Sequence, residues 1–217
     1  MFFRKALLLV SIMSLAGCVG QDFDYTAFKQ SKPRSILVLP PVNQSLEVTA
    51  GSAIMASSLE PLGESGYYVF PPTLTYEIFK ENGLTEPADI HAVSLKKIRD
   101  VFNPDAVLYI SIIEYGQKYF ILGSAAVVTV VGRLVDARTG KEIWSKTATA
   151  RSNEGSSNSG GGIAGLLVQA VIEQVVGQLS DQSYMTSKIA ADRLLSANVK
   201  NSLLYGPRHA KAGKPGP

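Results

Sequence analysis

Four consecutive residues, Ile36-Leu37-Val38-Leu39, have purely apolar side chains, and Pro40-Pro41 follows at once. A continuous apolar run of this length suits a strand buried on both faces, as in a parallel sheet covered on two sides. Proline has no N–H to give to a ladder, so the strand must stop at the proline pair. Parallel neighbours need crossover connections. Residues 47–64 supply one, a helical stretch with Val48, Ala50, Ile54, Leu59 and Leu62 among its apolar positions. Pro61 should kink it or limit its last turn, and Gly66 is its stop. Tyr67-Tyr68-Val69-Phe70 then repeats the strand signal, again closed by a pair, Pro71-Pro72. Residues 75–82 read as a short helix ended by Gly83. Ser94 caps another over 95–102, which Asn103-Pro104 breaks. Residues 105–113 are the third strand. Strand, helix, strand, helices, strand is the order of right-handed parallel crossovers.

The pattern then changes. Residues 119–135 read as one long strand, Asp136-Ala137-Arg138-Thr139-Gly140 as a turn, and residues 142–150 as the returning strand around Trp144. That is a hairpin with Gly140 where positive φ is needed. Val127, Val128, Val130 and Val131 are apolar on both faces, which places their strand inside the sheet. Residues 152–162, rich in Gly, Ser and Asn, read as a mobile loop. Residues 163–179 follow as a helix whose polar residues are only Gln169, Glu173, Gln174 and Gln178. Such a narrow polar stripe suits a helix wedged onto the sheet or one that meets a partner, through Leu167, Val171 and Val175. A homodimer is the simplest partnership. A last helix spans 181–199. The expected fold is α/β: a mixed sheet with parallel strand-helix-strand crossovers, then an antiparallel hairpin, with helices on both faces. The expected α/β domain covers 34–205, and residues 206–217 are expected to be a flexible tail.

The first residues have a different character. Met1-Phe2-Phe3-Arg4-Lys5 is a short positive head, and residues 6–16 carry no charge. That order marks a secretory signal peptide over 1–17, and its apolar run is shorter than the roughly 20 residues of a membrane span. Leu15-Ala16-Gly17-Cys18 resembles the bacterial lipobox, in which the cysteine is acylated and the chain is cut before it. Cys18 is the only cysteine, so no disulfide can form within the chain. Acyl chains on Cys18 would hold the domain on a bilayer, with residues 18–33 as tether. Val19 stands where an Asp would commonly signal inner-membrane retention, which points to the outer membrane, with the domain in the periplasm or at the cell surface. The net charge of +3 includes Arg4 and Lys5, so the chain without its signal is nearly neutral. No stretch interleaves basic and aromatic residues, and nucleic acid is not an expected partner.

Catalytic and metal chemistry find little support. Gly160-Gly161-Gly162-Ile163-Ala164-Gly165 fits a dinucleotide fingerprint. The preceding loop is too long for the tight strand-to-helix turn that holds a pyrophosphate, however, and no strand follows. His91 and His209 are the only histidines, far from any second ligand at metal spacing. His91 is also the sole internal base for a hydrolase. Glu114 and Asp136 are expected at solvent-exposed strand ends. The chain is read as a non-enzyme without cofactor.

Several stretches are familiar together. They are Tyr25-Thr26-Ala27-Phe28, residues 33–43, Gly66-Tyr67-Tyr68-Val69-Phe70-Pro71, Asn82-Gly83-Leu84-Thr85, Pro87-Ala88-Asp89-Ile90-His91, and Leu134-Val135-Asp136 with Thr139-Gly140. This set resembles a family of Gram-negative outer-membrane lipoproteins of unknown function. Its fold is similar to the N-terminal domain of TolB and the periplasmic domain of CsgG. The resemblance implies a component of envelope secretion, transport or assembly, with CsgG-like lipoproteins as partners. It supplies no catalytic or binding residues. A ligand-binding or regulatory module acting on cell-wall synthesis is the alternative.

Overall fold

The apolar run becomes an internal strand of the sheet, its alternate side chains leaving by opposite faces. β1 (Ser35–Val38) sends Ile36 and Val38 into one core and Leu37 into a second, all three buried. The other strands are β2 (Val42–Asn43), β3 (Tyr68–Val69), β4 (Ala106–Phe120), β5 (Gly123–Asp136) and β6 (Glu142–Arg151). They form one sheet in the order β3-β1-β4-β5-β6, with β2 added to β4. β1 is parallel to β3 and β4, and β4, β5 and β6 are antiparallel. This computed structural model describes residues 23–120, 123–154 and 179–216.

Helices lie on both faces, as expected. α1 (Thr26–Ser31), α2 (Ala50–Glu64) and α6 (Leu179–Leu195) share the larger core, where Phe28, Ile54, Leu62 and Leu194 meet Val38, Ile110, Val130 and Trp144. α3 (Pro72–Glu81), α4 (Pro87–His91) and α5 (Leu95–Phe102) lie over the other face. Their Phe79, Ile90 and Ile98 cover Leu37, Leu39 and Val107. α5 has the bounds its sequence dictates. Ser94 accepts from the Lys97 N–H at 3.4 Å, and Asn103 ends the helix at φ +48°. Gly140, at φ +73°, sits in the β5–β6 turn, as that turn requires. β5 lies between β4 and β6, in agreement with its two apolar faces.

Five expectations are corrected. The stretch 119–135 is two strands, because β4 continues to Phe120 and β5 begins at Gly123. A register shift between Ile112 and Glu114 reverses the phase of β4. Its polar continuation therefore still pairs, and Tyr115 packs against the core. Second, the tether is folded from Phe23 onward: Phe23 and Tyr25 pack on the core and Phe28 is buried within it. Third, the tail is docked, with the Gly206 N–H donating to the Ser65 carbonyl at 2.7 Å and the Arg208 N–H to that of Gly66. Fourth, Asp136 is only 2% exposed, and Glu114 lies within β4 instead of at a strand end. Fifth, the last helix stops at Leu195, four residues before its expected end.

Candidate functional site

β1, β3 and β4 begin at one pole, and both ends of the described chain close there. The Tyr25 hydroxyl donates to the Ser202 carbonyl at 2.6 Å, and the Phe23 N–H to Asn201 Oδ1 at 3.1 Å. Tyr67, on the approach to β3, donates to the Leu204 carbonyl at 2.5 Å. Burial pushes its phenol well above the ordinary value, so it stays a donor. Residues 204–216 form a hook: the Tyr205 N–H donates to the Lys214 carbonyl, and the Gly213 N–H donates back to that of Tyr205. Gly66 lies under the hook at φ +89°, where a Cβ would come within 2.6 Å of the His209 nitrogen. Between α1 and the hook is a cavity of about 310 Å³, lined by buried Phe28, Tyr67 and Leu204 and by exposed Lys29 and Lys32.

Asp136 joins this pole to the β5–β6 turn. It accepts from the Ser31 hydroxyl at 2.5 Å, from the Arg138 and Thr139 N–H groups at 2.9 Å, and from the Arg138 guanidinium at 3.1 Å. Burial opposes its ionisation. The donors from Ser31, Arg138 and Thr139 outweigh that and hold the carboxyl at about 2. Arg138 also donates to the Ser31 carbonyl at 2.6 Å, so α1 is held to the turn twice.

In an open α/β sheet, ligands enter at the carboxyl ends of the strands where the winding reverses. Here that point lies between β1 and β4, and the chain itself fills it. β2 pairs with Ser111 and Ile112 of β4 just beyond β1. His91 places Nε2 at 2.9 Å from the Pro40 carbonyl and its ring edge-on to Tyr109, over which Arg133 lies at 4.9 Å. Burial lowers the imidazole below its ordinary value, with Arg133 adding to this and the Pro40 hydrogen bond opposing it. His91 therefore works as a neutral packing residue. Among the described residues no group of three or more His, Cys, Asp or Glu side chains gathers around one point.

The opposite pole carries several exposed apolar side chains. β4 and β5 run on past the end of β6, whose Arg151 pairs with Val127. Lys118 and Tyr119 mark the outer corner of this arm, and Tyr119 is 81% exposed. The Gln117 amide donates to Gln182 at 2.8 Å, seating the start of α6 on the arm. Leu46 is fully exposed, Val48 is 91% exposed, and Tyr184 and Met185 of α6 are also open to solvent. Tyr115, whose phenol burial pushes up, packs against the core beneath this end. The β2–α2 loop and α6 each present exposed apolar residues. Composition alone gave no signal for these residues, since Val48 reads as part of the helix expected over 47–64 and Leu46 as the residue just before it.

Cys18, the glycines at 160–165, and Leu167, Val171 and Val175 all lie outside the described residues. Among the described residues no helix is long and apolar enough to cross a membrane.

The fold and its two unlike poles define a mixed α/β domain that gathers its chain ends at one side and shows apolar side chains at the other. Residues 23–208 match the family described as "Putative lipoprotein GNA1162-like", and the chain belongs to that family. It is 50% identical over 203 residues to "Putative lipoprotein NMB1124/NMB1162" of Neisseria meningitidis serogroup B, covering 92% of this chain and 94% of that one. The crystal structure of lipoprotein GNA1162 from Neisseria meningitidis superposes with a TM-score of 0.53 at 50% identity, over 67% of this chain and all of that one.

Proposed function

We propose that this chain is a non-catalytic outer-membrane lipoprotein, acylated at Cys18, whose far pole binds other proteins of an envelope secretion, transport or assembly complex. The exposed apolar side chains of Leu46 and Val48 in the β2–α2 loop, and of Tyr184 and Met185 on α6, carry this reading. Contiguous apolar side chains on a folded surface mark interaction sites. The membership in a lipoprotein family supports the anchor, as does the order of positive head, apolar run and Leu15-Ala16-Gly17-Cys18. The resemblance to secretion lipoproteins suggests a CsgG-like lipoprotein as the partner.

Two measurements test the two halves separately. Metabolic labelling with a palmitate analogue should tag the wild type and leave Cys18→Ser untagged; equal labelling of both would sink the anchor. A photo-cross-linking residue at Leu46 should capture a CsgG-like lipoprotein in cells, whereas one at exposed Glu77 of α3 should not. Capture from both positions, or from neither, would remove the far pole as the binding surface.

A further inference from the structure

We infer that the pole formed by α1 and the hook is a docking surface for an anionic phospholipid bilayer. Lys29, Lys32, Arg34, Arg208, Lys211 and Lys214 are all exposed there. They are far apart in sequence, and the fold makes them one surface. Lys29 and Lys32 line the same cavity as Pro207, Ala212 and Gly213 of the hook. Arg208 lies over the Tyr68 ring at 5.5 Å, and the Tyr68 N–H donates to the Arg34 carbonyl at 3.0 Å, which places Arg34 beside it. Lys211 lies over Tyr205, also at 5.5 Å. The acids at the border are Asp24, Glu64 and Asp105. Asp24 accepts from the Thr26 N–H, and Asp105 faces Arg34 at 4.0 Å. Residues 200–217 contain no acid at all. Taking Arg4 and Lys5 from the net charge of +3 leaves +1 for the rest, so six cations at one pole are a local concentration.

Their position fits a bilayer. Cys18 precedes Phe23 by five residues, which span at most about 18 Å when extended. On the reading that Cys18 is acylated, this pole is the part of the domain that must lie closest to the headgroups. Basic side chains at an anionic surface each raise partition by about fivefold, and the attraction fades within a Debye length of about 8 Å at physiological salt. Arg208 and Lys211 lie over aromatic rings, so their stems and those rings form an amphipathic layer suited to the interface. Docking here also sets the orientation of the rest. β4 starts at this pole, and its fifteen residues rise about 50 Å. Tyr119 and the far pole are then held away from the membrane, facing partners.

The test uses residues 19–217, which contain the whole described fold and lack Cys18. These are floated with vesicles of phosphatidylcholine alone or of phosphatidylcholine and phosphatidylglycerol in equal parts. Wild type should float with the anionic vesicles at low salt, and should be released at about 1 M salt, where the Debye length is about 3 Å. Lys29→Gln/Lys32→Gln/Lys211→Gln/Lys214→Gln should lose about 600-fold in partition, while Lys118→Gln/Lys188→Gln should float as wild type. Amine labelling of wild type, read by mass spectrometry, needs no variant. Anionic vesicles should protect Lys29, Lys32, Lys211 and Lys214 and leave Lys118 and Lys188 reactive. Failure to float on anionic vesicles, equal flotation on neutral ones, or uniform labelling would each overturn the docking surface. Because the tested chain lacks Cys18, these outcomes are independent of whether the anchor reading holds.

Discussion

Replacing Asp136 by Asn tests how the domain holds its first helix. The folded carboxyl titrates at about 2 against an ordinary value of 3.8. A difference of nearly two units corresponds to about 2.5 kcal/mol of stability. The depressed value means that the unfolded chain binds the extra proton first. The contribution is therefore complete above about pH 4 and lost as the pH falls to about 2. Asn keeps one acceptor oxygen but turns an amide NH₂ toward donors that now have nothing to donate to, from Ser31 and the Arg138 guanidinium. Leaving such groups unpaired costs about 2–3 kcal/mol. For a domain of this size, that lowers the melting temperature by about 5–10 °C near pH 7. The assay is urea unfolding of residues 19–217 followed by circular dichroism, wild type beside Asp136→Asn, at several pH values between about 7 and 2.5. The gap in midpoints should be wide near neutrality and close through the acid range. Equal midpoints near pH 7, or a gap that persists unchanged at about pH 2.5, would refute the carboxylate's role.

Other perturbations address the remaining elements. Val38→Asp puts a charge into a core position of the internal strand β1 and should unfold the domain; a soluble variant with the wild-type melting curve would contradict the packing of β1. A Cβ at residue 206 would come within 2.7 Å of the Gly66 carbonyl oxygen. Gly206→Val should therefore release the hook, detected as new protease cleavage after Arg208 or Lys211, and unchanged resistance would show that the hook does not depend on this contact. For the apolar stretch around Leu167, Val171 and Val175, we expect a homodimer of residues 19–217 by light scattering. Leu167→Lys/Val171→Lys should dissociate it with its circular dichroism unchanged, and a wild type that stays monomeric at high concentration removes that expectation.

What the sequence made legible was local. β1 follows from four apolar residues and two prolines, and α5 from a cap at Ser94 and a stop at Asn103-Pro104. Each signal lies within a few positions of the element it bounds. Most of the misses are long-range. The stretch before β1 reads as a tether because its partner for Tyr25, the Ser202 carbonyl, is 177 residues away. Asp136 reads as an exposed strand end because Ser31, 105 residues earlier, supplies the donor that helps hold it. A six-residue helix such as α1 has no independent stability, so no propensity argument could have found it. The end of β4 was missed for a different reason: the register shift after Ile112 changes which face each residue meets, and a period-two pattern cannot be followed through a change of phase.

The same distinction governs the surfaces. Lys29, Lys32 and Arg34 form one short basic group in the sequence, and Arg208, Lys211 and Lys214 another. Neither is dense enough alone to suggest a bilayer. Parallel strands make them one surface, because β1, β3 and β4 must all begin at the same pole, and whatever precedes β1 must begin there too. The hook returns to that pole because Gly66 leaves room for its backbone, and Tyr67 supplies a hydrogen bond to Leu204. The apolar residues of the β2–α2 loop are placed just as firmly at the other end, since β2 continues the direction of β1 along β4. Strand direction thus separates the two surfaces: a lipid attached ahead of Phe23 and a protein bound at Leu46 would occupy opposite ends of the domain and would not compete for space.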